Sequence, residues 1–417
     1  MEVQAAVCAG IDVGKADVKV CVRRPGRRAG TRVGQVRTFG TTTRQLLALR
    51  DWLLAERVTR IAMESTGVYW KPVYYLLEDV AADGECWLVN AQHIKKVPGR
   101  KTDVSDAAWI AQVAEVGLIR PSFVPPQPIR ELRDLTRYRT VVVRDRTREV
   151  QRLHAVLEDA GIKLDVFVSD ILGVSGRHMI EALIAGERNP QVLAELALGR
   201  MRGKRAVLAE ALVGRFTAHH AWLCRMILDR IDANDADLAR LDAHIAAAMA
   251  SFRDTITRLC TIPGVGQRIA EVIIAETGAD MTRFATAGEL SSWAGFCPGN
   301  NESAGKHFTG RTRKGDRWLA GALGEAASAA ARTRGTHLAE RHRRLAHRRG
   351  RKRALVATGR IILETAWTLL HDPDQTYRDL GAGWHQRRQP NPRRRATNLV
   401  HQLQVMGYDV TINQAVA

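Results

Sequence analysis

The chain has no apolar run approaching the roughly 20 residues that a membrane-spanning helix needs. Its N-terminus also lacks the basic and apolar segments of a secretory leader. Both absences argue against a membrane partner and for a protein that stays in the cytoplasm. Paired cysteines are missing too. Cys8, Cys21, Cys86, Cys224, Cys260 and Cys297 are scattered, with no C-x-x-C pair and mostly apolar neighbours, which excludes a disulfide frame and a cysteine zinc site. No glycine-rich nucleotide loop occurs, and this counts against a sugar or acetate kinase of the actin-like class. Acidic residues are in deficit: 44 Asp plus Glu face 63 Lys plus Arg, a formal charge of +19. A surplus of that size calls for a polyanionic partner, because each phosphate neutralised releases condensed counterions. Nucleic acid is the obvious one. At 417 residues and 45% hydrophobic, the chain can bury the cores of two or three domains.

Residues 1–120 read as an α/β domain. An apolar run over residues 5 to 11 leads into Asp12. After the turn at Gly14, Val18, Val20 and Val22 alternate against Lys19, Cys21 and Arg23, as in a sheet with one buried face. Residues 31–39 supply a third strand, Leu46 to Leu54 an amphipathic helix, Val58 to Met63 a strand ending at Glu64, Pro72 to Val80 a helix, and Glu85 to Val89 a last strand. Pro98 and Gly99 then precede R-K-T-D-V-S-D-A, where Asp103 and Asp106 share one face of a starting helix. Alone, D-x-x-D is equally what a helix dipole attracts to a first turn.

The element order resembles the ribonuclease H-like, RuvC-like fold, in which an acid on the first strand lies beside one ending the fourth. Asp12 and Glu64 hold those places, and a later helix brings Asp103 and Asp106. Four converging carboxylates repel one another and need compensation. Two Mg²⁺ ions would neutralise them and polarise a scissile phosphate. Gly14 could admit a phosphate backbone or simply form the hairpin turn. Tyr69 and Trp70 could stack on a base, but core anchors for the next helix are the more ordinary role. Lys95, Lys96, Arg100 and Lys101 could grip flanking phosphates or form a solvated loop.

Pro121, Pro125, Pro126 and Pro128 mark a linker opening a middle region, residues 121–255. Two long helical stretches, residues 129–160 and 222–252, carry apolar residues at three, four and seven. They predict an antiparallel hairpin within the chain or a coiled coil between chains, with shorter helices between them. Residues 256–371 form a mostly α region. Ile262-Pro263-Gly264-Val265-Gly266 resembles a helix-hairpin-helix turn, whose Gly264 and Gly266 would let backbone N–H groups meet a DNA phosphate. Farther on, Ser303 stands in a glycine-flanked loop followed by Lys306, His307, Arg311, Arg313 and Lys314. These cations could stabilise its alkoxide, although a serine in such a loop is more often a plain hydroxyl. Residues 332–353 are a basic run read as a nucleic-acid contact, and residues 372–417 as a basic, flexible tail.

The ordered set GIDVGK, MESTG, RKTDVSDA, IPGVG and GFCP…ESAGK resembles the DEDD transposases of bacterial insertion sequences, bridge-RNA-guided serine recombinases, from about residue 8 to about residue 370. The resemblance implies a metal-binding tetrad of Asp12, Glu64, Asp103 and Asp106, and a nucleophilic Ser303 that joins to a DNA phosphate. It further implies donor and target DNA, a structured non-coding guide RNA, and a homo-oligomer, dimer or tetramer, working at the bacterial nucleoid. Acids and serine of one active site can come from different subunits of such an oligomer. The chain departs from the family pattern at Ala304, where glycine is expected, so Ser291 and Ser292 stand as weaker alternatives for the nucleophile. Two readings outside this one remain: a RuvC-like nuclease that uses metal-activated water, and an architectural DNA-binding protein whose acids are solvated turns.

Overall fold

The computed structural model describes residues 3–28, 30–65, 67–81, 85–91, 94, 105–299, 302–303, 305–307, 310, 312–384 and 392–411. The chain divides into two compact units, Met1–Pro125 and Pro126–Ala417.

In the first unit β1 (Cys8–Val13) and β2 (Asp17–Pro25) form an antiparallel hairpin, and β3 (Arg32–Gly40) pairs antiparallel with β2. The hairpin closes through Gly14, whose N–H donates to Asp17 O at 2.9 Å; a Cβ there would lie 2.8 Å from that oxygen, so the tight turn itself requires glycine. Helix α1 (Thr43–Ala55) leads to β4 (Arg60–Glu64), and α2 (Trp70–Leu77) to β5 (Cys86–Val89). β4 pairs parallel with β1, and β5 parallel with β4, giving the sheet order β3-β2-β1-β4-β5. This mixed sheet of a hairpin, its extra strand and two parallel crossovers is the ribonuclease H-like arrangement.

The period-two side-chain pattern sorts the strands' residues onto two faces. Ala9, Ile11, Val13, Val18, Val20, Val22, Ile61 and Met63 join Leu46, Leu49, Leu53, Val73 and Leu77 of α1 and α2 in one core. The opposite face is not left to solvent. Helix α3 (Asp106–Glu115) covers it, burying Cys8, Ala62 and Val89 with Trp109, Ile110 and Val113, and burying Cys21 against Ala107 and Ala111. The alternation Val18, Val20, Val22 against Lys19 and Cys21 predicts one buried face; Cys21 is instead only 1% exposed, because α3 lies over it.

Contact there is backbone to backbone. A Cβ on Gly10 would come within 2.2 Å of Ala111 N and 2.3 Å of Ala107 O, so only glycine lets α3 settle onto β1. The far end of α3 is fixed by charge. Glu115, 2% exposed, accepts from Arg23 Nε at 2.9 Å and Arg32 Nη2 at 3.0 Å, while Arg60 Nη1 donates to Ala114 O at 3.0 Å.

The second unit begins with α4 (Gln127–Asp159), which has Pro128 in its first turn, where the absent N–H costs nothing. The chain then runs through α5 (Leu164–Phe167), α6 (Val174–Ile184), α7 (Pro190–Glu195) and α8 (Arg205–Ala211), and returns along α9 (Ala218–Ala248). Arg139 pairs with Asp242 at 2.5 Å, Arg146 with Asp235, and Arg230 with Glu149 at 2.9 Å. One partner number falls as the other rises, so α4 and α9 form an antiparallel pair within the chain. Its distal end, where His220 Nε2 lies 3.0 Å from Asp159 Oδ2, shares a core of Leu153, Leu157, Met179, Ile180, Leu208 and Leu228 with the small helices.

Next come α10 (Arg253–Leu259), α11 (Gln267–Thr277), α12 (Ala287–Trp293), the short strands β6 (Glu302–Ser303) and β7 (Lys306–His307), α13 (Arg317–Arg332), α14 (His337–Arg349) and α15 (Arg351–His371). α16 (Pro392–Val405) follows. Residues 372–384, expected to begin a flexible tail, are tied back onto the N-terminus of α14. Asp379 Oδ1 accepts the His337 N–H at 3.0 Å, Ala382 N donates to Gly335 O at 3.1 Å, and Trp384 meets the His337 ring edge-on at 4.9 Å. Composition marks this stretch as polar, but an aspartate capping a helix and one aromatic contact suffice to hold it. Among the described residues no helix is long and apolar enough to cross a membrane.

Gly10→Ala is expected to destabilise the first unit by about 1–3 kcal/mol, the usual cost of forcing a methyl group into a closed contact. Urea unfolding of the variant against the parent measures it. An unchanged midpoint would contradict the contact between α3 and β1.

Candidate active site and family

The register of β1 on β4 pairs Gly10 with Ala62 and Ile11 with Met63, so Asp12 and Glu64 follow side by side at the C-terminal ends of two parallel strands. Their face is settled by their neighbours two residues back: Gly10 and Ala62 both lie beneath α3. Both carboxylates therefore point to the side that α3 covers, and each is half-buried. Asp106 is the first residue of α3, behind the N-cap Ser105, whose hydroxyl accepts the Ala108 N–H at 3.4 Å.

Asp12 and Asp106 feel one another's charge. Burial pushes the Asp12 carboxyl above its ordinary range, and the nearby Asp106 carboxylate pushes it further; Lys19, paired with Asp12 across the hairpin, opposes the rise, and Asp17 adds to it. Repelling, partly desolvated carboxylate oxygens are the donor type that a hard divalent cation takes. Among the described residues, however, no three acidic, histidine or cysteine side chains are gathered tightly enough to hold an ion. Asp103 and Lys101 lie outside the described residues, as do Lys95, Lys96 and Arg100. Of the aromatics behind Glu64, Trp70 packs on the core and meets Tyr74 edge-on at 5.8 Å, whereas Tyr69 is exposed.

In the second unit the Ser303 loop is a hairpin. Ser303 pairs with Lys306 and Glu302 with His307, around a turn in which Gly305 has φ +74°. Toward the base Pro298 bridges Thr312, and a Cβ on Gly310 would lie 2.1 Å from Gly299 O. At the root a Cβ on Gly315 would lie 2.1 Å from Ala294 O, so the two strands leave α12 and enter α13 in direct backbone contact. Ser303 thus sits beside the tip, with Lys306 across from it. Arg313 and Lys314 are exposed near the root; Arg311 is outside the described residues. Ser291 is fully buried in α12, which removes it from any reaction with a bulky substrate, while Ser292 is exposed on the same helix.

The two glycines of the I-P-G-V-G turn part company. Gly264 has φ +88°, and a Cβ on it would meet Ala326 O at 2.2 Å and Ala330 N at 2.6 Å. Packing against α13 accounts for this glycine. Gly266 is exposed at the N-cap of α11, where a Cβ would meet no other atom within 4 Å. Gly10 and Gly264 are the positioning residues that sequence patterns do not single out for packing, since their partners lie about 60 to 100 positions away and leave no local period.

Comparison with known proteins agrees with this layout. The DEDD transposase model of the IS110 type matches residues 9–162, and a model described as the transposase IS116/IS110/IS902 family matches residues 256–343. Among solved structures, the Thermus thermophilus RuvC structure is similar at 15% identity, covering 28% of this chain and 99% of that one, with a TM-score of 0.21. No curated protein matches. The two family models fall on the acid-bearing unit and on the serine hairpin respectively and together take in more than half of the residues, so the chain belongs to the IS110 family of DEDD transposases and is a DNA transposase.

Proposed function

We propose that this transposase cuts and rejoins DNA strands through a covalent phosphoserine intermediate, using Asp12, Glu64, Asp103 and Asp106 to hold two Mg²⁺ ions and Ser303 as nucleophile. The observation that carries the reading is the alignment of Asp12 and Glu64 on one face of two parallel strands, with Asp106 close enough to repel Asp12. Bound divalent ions would offset that repulsion and polarise the scissile phosphate. The Ser303 oxygen forms a bond to phosphorus as the bond to the leaving deoxyribose oxygen breaks, and the hydroxyl proton passes through solvent to that oxygen, which leaves as a hydroxyl. Reversal onto a new strand end regenerates the serine. Lys306 is the register partner of Ser303 in the hairpin, and we assign it the cation that would assist the nucleophile. Arg313 and Lys314 bind the phosphates alongside, with Lys101, Arg311 and the open Gly266 turn as further backbone contacts.

The reading extends to partners. A formal charge of +19 supports contact with more phosphate than one duplex end offers, and we assign the surplus to donor and target DNA and a structured guide RNA. The active assembly is a homo-oligomer in the bacterial cytoplasm, at the nucleoid.

Ser303→Ala should keep DNA affinity and abolish the protein–DNA adduct seen on denaturing gels. An adduct that survives the change refutes the nucleophile, and cleavage without any adduct in the parent protein would favour a water-using nuclease. Asp12→Asn, Glu64→Gln and Asp106→Asn should each slow cleavage by about 100-fold while leaving DNA binding intact, and chelation of divalent ions should do the same. Full activity in any of these variants would remove that acid from the set. Sequencing the nucleic acid that copurifies with the protein should return one abundant structured RNA; its absence would strike the guide from the proposal.

A further inference from the structure

The root of the serine hairpin is joined to the long helix α4 by a partly buried network of charge. Glu276, in the last turn of α11, has no exposed surface. Arg137 of α4 donates to both its oxygens, Nε to Oε1 at 2.7 Å and Nη2 to Oε2 at 2.6 Å, in the two-pronged geometry that fixes a guanidinium in its plane. One turn earlier Arg133 lies 3.4 Å from Glu276 Oε2, and its Nε donates to Ala275 O at 2.9 Å, satisfying a carbonyl at the end of α11.

Arg137 makes one contact more. Its Nη2 also donates to Asp316 Oδ2 at 3.2 Å. Asp316 is the residue after Gly315 at the hairpin root, and its other oxygen caps α13 by accepting from Trp318 N at 2.8 Å and Leu319 N at 2.9 Å. Helix capping needs only that second oxygen, and Glu276 is satisfied without Asp316. The Arg137–Asp316 contact is therefore not needed to satisfy either group, and what it adds is a fixed distance between α4 and the point where the hairpin enters α13. Two guanidinium groups meet two carboxylates, with Asp134 nearby, in a partly exposed set whose value lies in specifying one arrangement more than in stability.

We propose that Arg137 is a positioning residue for the strand-transfer reaction: held in its plane by Glu276, it fixes Asp316 and with it the root of the hairpin that carries Ser303. The inference rests on Ser303 being the nucleophile for its effect on chemistry, but not for its effect on the hairpin. The hairpin is closed at its base by glycine backbone contacts, so a shift at the root is carried toward the tip, where an error of about 1 Å costs on the order of 10- to 100-fold in rate.

Asp316→Asn separates the two functions of Asp316. Asparagine caps a helix as well as aspartate does, but sets a neutral amide against the guanidinium. In the full-length protein this variant should melt at the parent temperature and bind DNA equally well, form the protein–DNA adduct about tenfold more slowly, and show faster amide exchange in residues 294–315 with α13 as protected as before. Arg137→Lys, which keeps the charge without the fork, should speed the same hairpin exchange but melt lower, because an oxygen of the buried Glu276 loses its donor. Unchanged exchange in the hairpin of both variants overturns the proposal, as does a general loss of protection in α13 with a lower melting temperature in Asp316→Asn, which would mark the contact as structural only. Ser303→Ala is measured alongside. If that variant still forms adduct, the nucleophile assignment fails, and hairpin exchange still decides the positioning claim.

Discussion

Everything in the first unit depends on a helix lying directly on a strand. Where α3 crosses β1, backbone meets backbone at Gly10, with the small side chains of Ala107 and Ala111 beside the contact. A residue with a Cβ would lift the helix, and with it Asp106, off the sheet edge where Asp12 and Glu64 emerge. The ion pairs of Glu115 with Arg23 and Arg32 fix the other end of α3, about a dozen ångströms away at 1.5 Å rise per residue. Between a steric stop and an electrostatic anchor, the helix has one place to lie. The acids' mutual repulsion is opposed by packing among atoms that take no part in chemistry.

The parts of this design that sequence reveals are those written in short periods. Alternating valines identify β2, an acid after an apolar run identifies Asp12 and Glu64, and the acidic stretch after Pro-Gly identifies a helix start that falls at Asp106, with Asp103 outside the described residues. The match of Asp12 with Glu64 is what the resemblance to the ribonuclease H-like fold implies, and the parallel register of β1 on β4 sets the two side by side. Contacts between distant segments leave no such mark. Nothing near Gly264 says that Ala326 and Ala330 will press against it, so the turn reads as a phosphate-binding motif when one of its glycines is required for packing. Ser291 and Ser292 look alike in the sequence, yet one is wholly buried and the other exposed, because a helix rotates 100° between them.

Charge shows the same division. The arginine surplus is visible at once and points to a polyanion, but which arginines remain free for it depends on pairing that composition hides. Arg139 and Arg146 are engaged by Asp242 and Asp235, and Arg133 and Arg137 by Glu276, so the long helix α4 presents less positive charge than its sequence promises. In contrast Arg341, Arg343, Arg344, Arg348, Arg349, Arg351, Lys352 and Arg353 are all exposed around the Gly350 corner between α14 and α15. Much of the usable positive field of the second unit lies there.

The antiparallel α4–α9 pair brings the chain back to where it left. Residues far apart in sequence, such as Arg139 and Asp242, become neighbours at its proximal end, while at the other end the small helices share one core with the pair. In topological terms the segment from 160 to 217 is an insertion whose two ends are already closed by the rungs of the pair. Its loops can vary in length with little effect on the geometry at which α10 begins, as long as the core it shares with Leu153, Leu157 and Leu228 is kept.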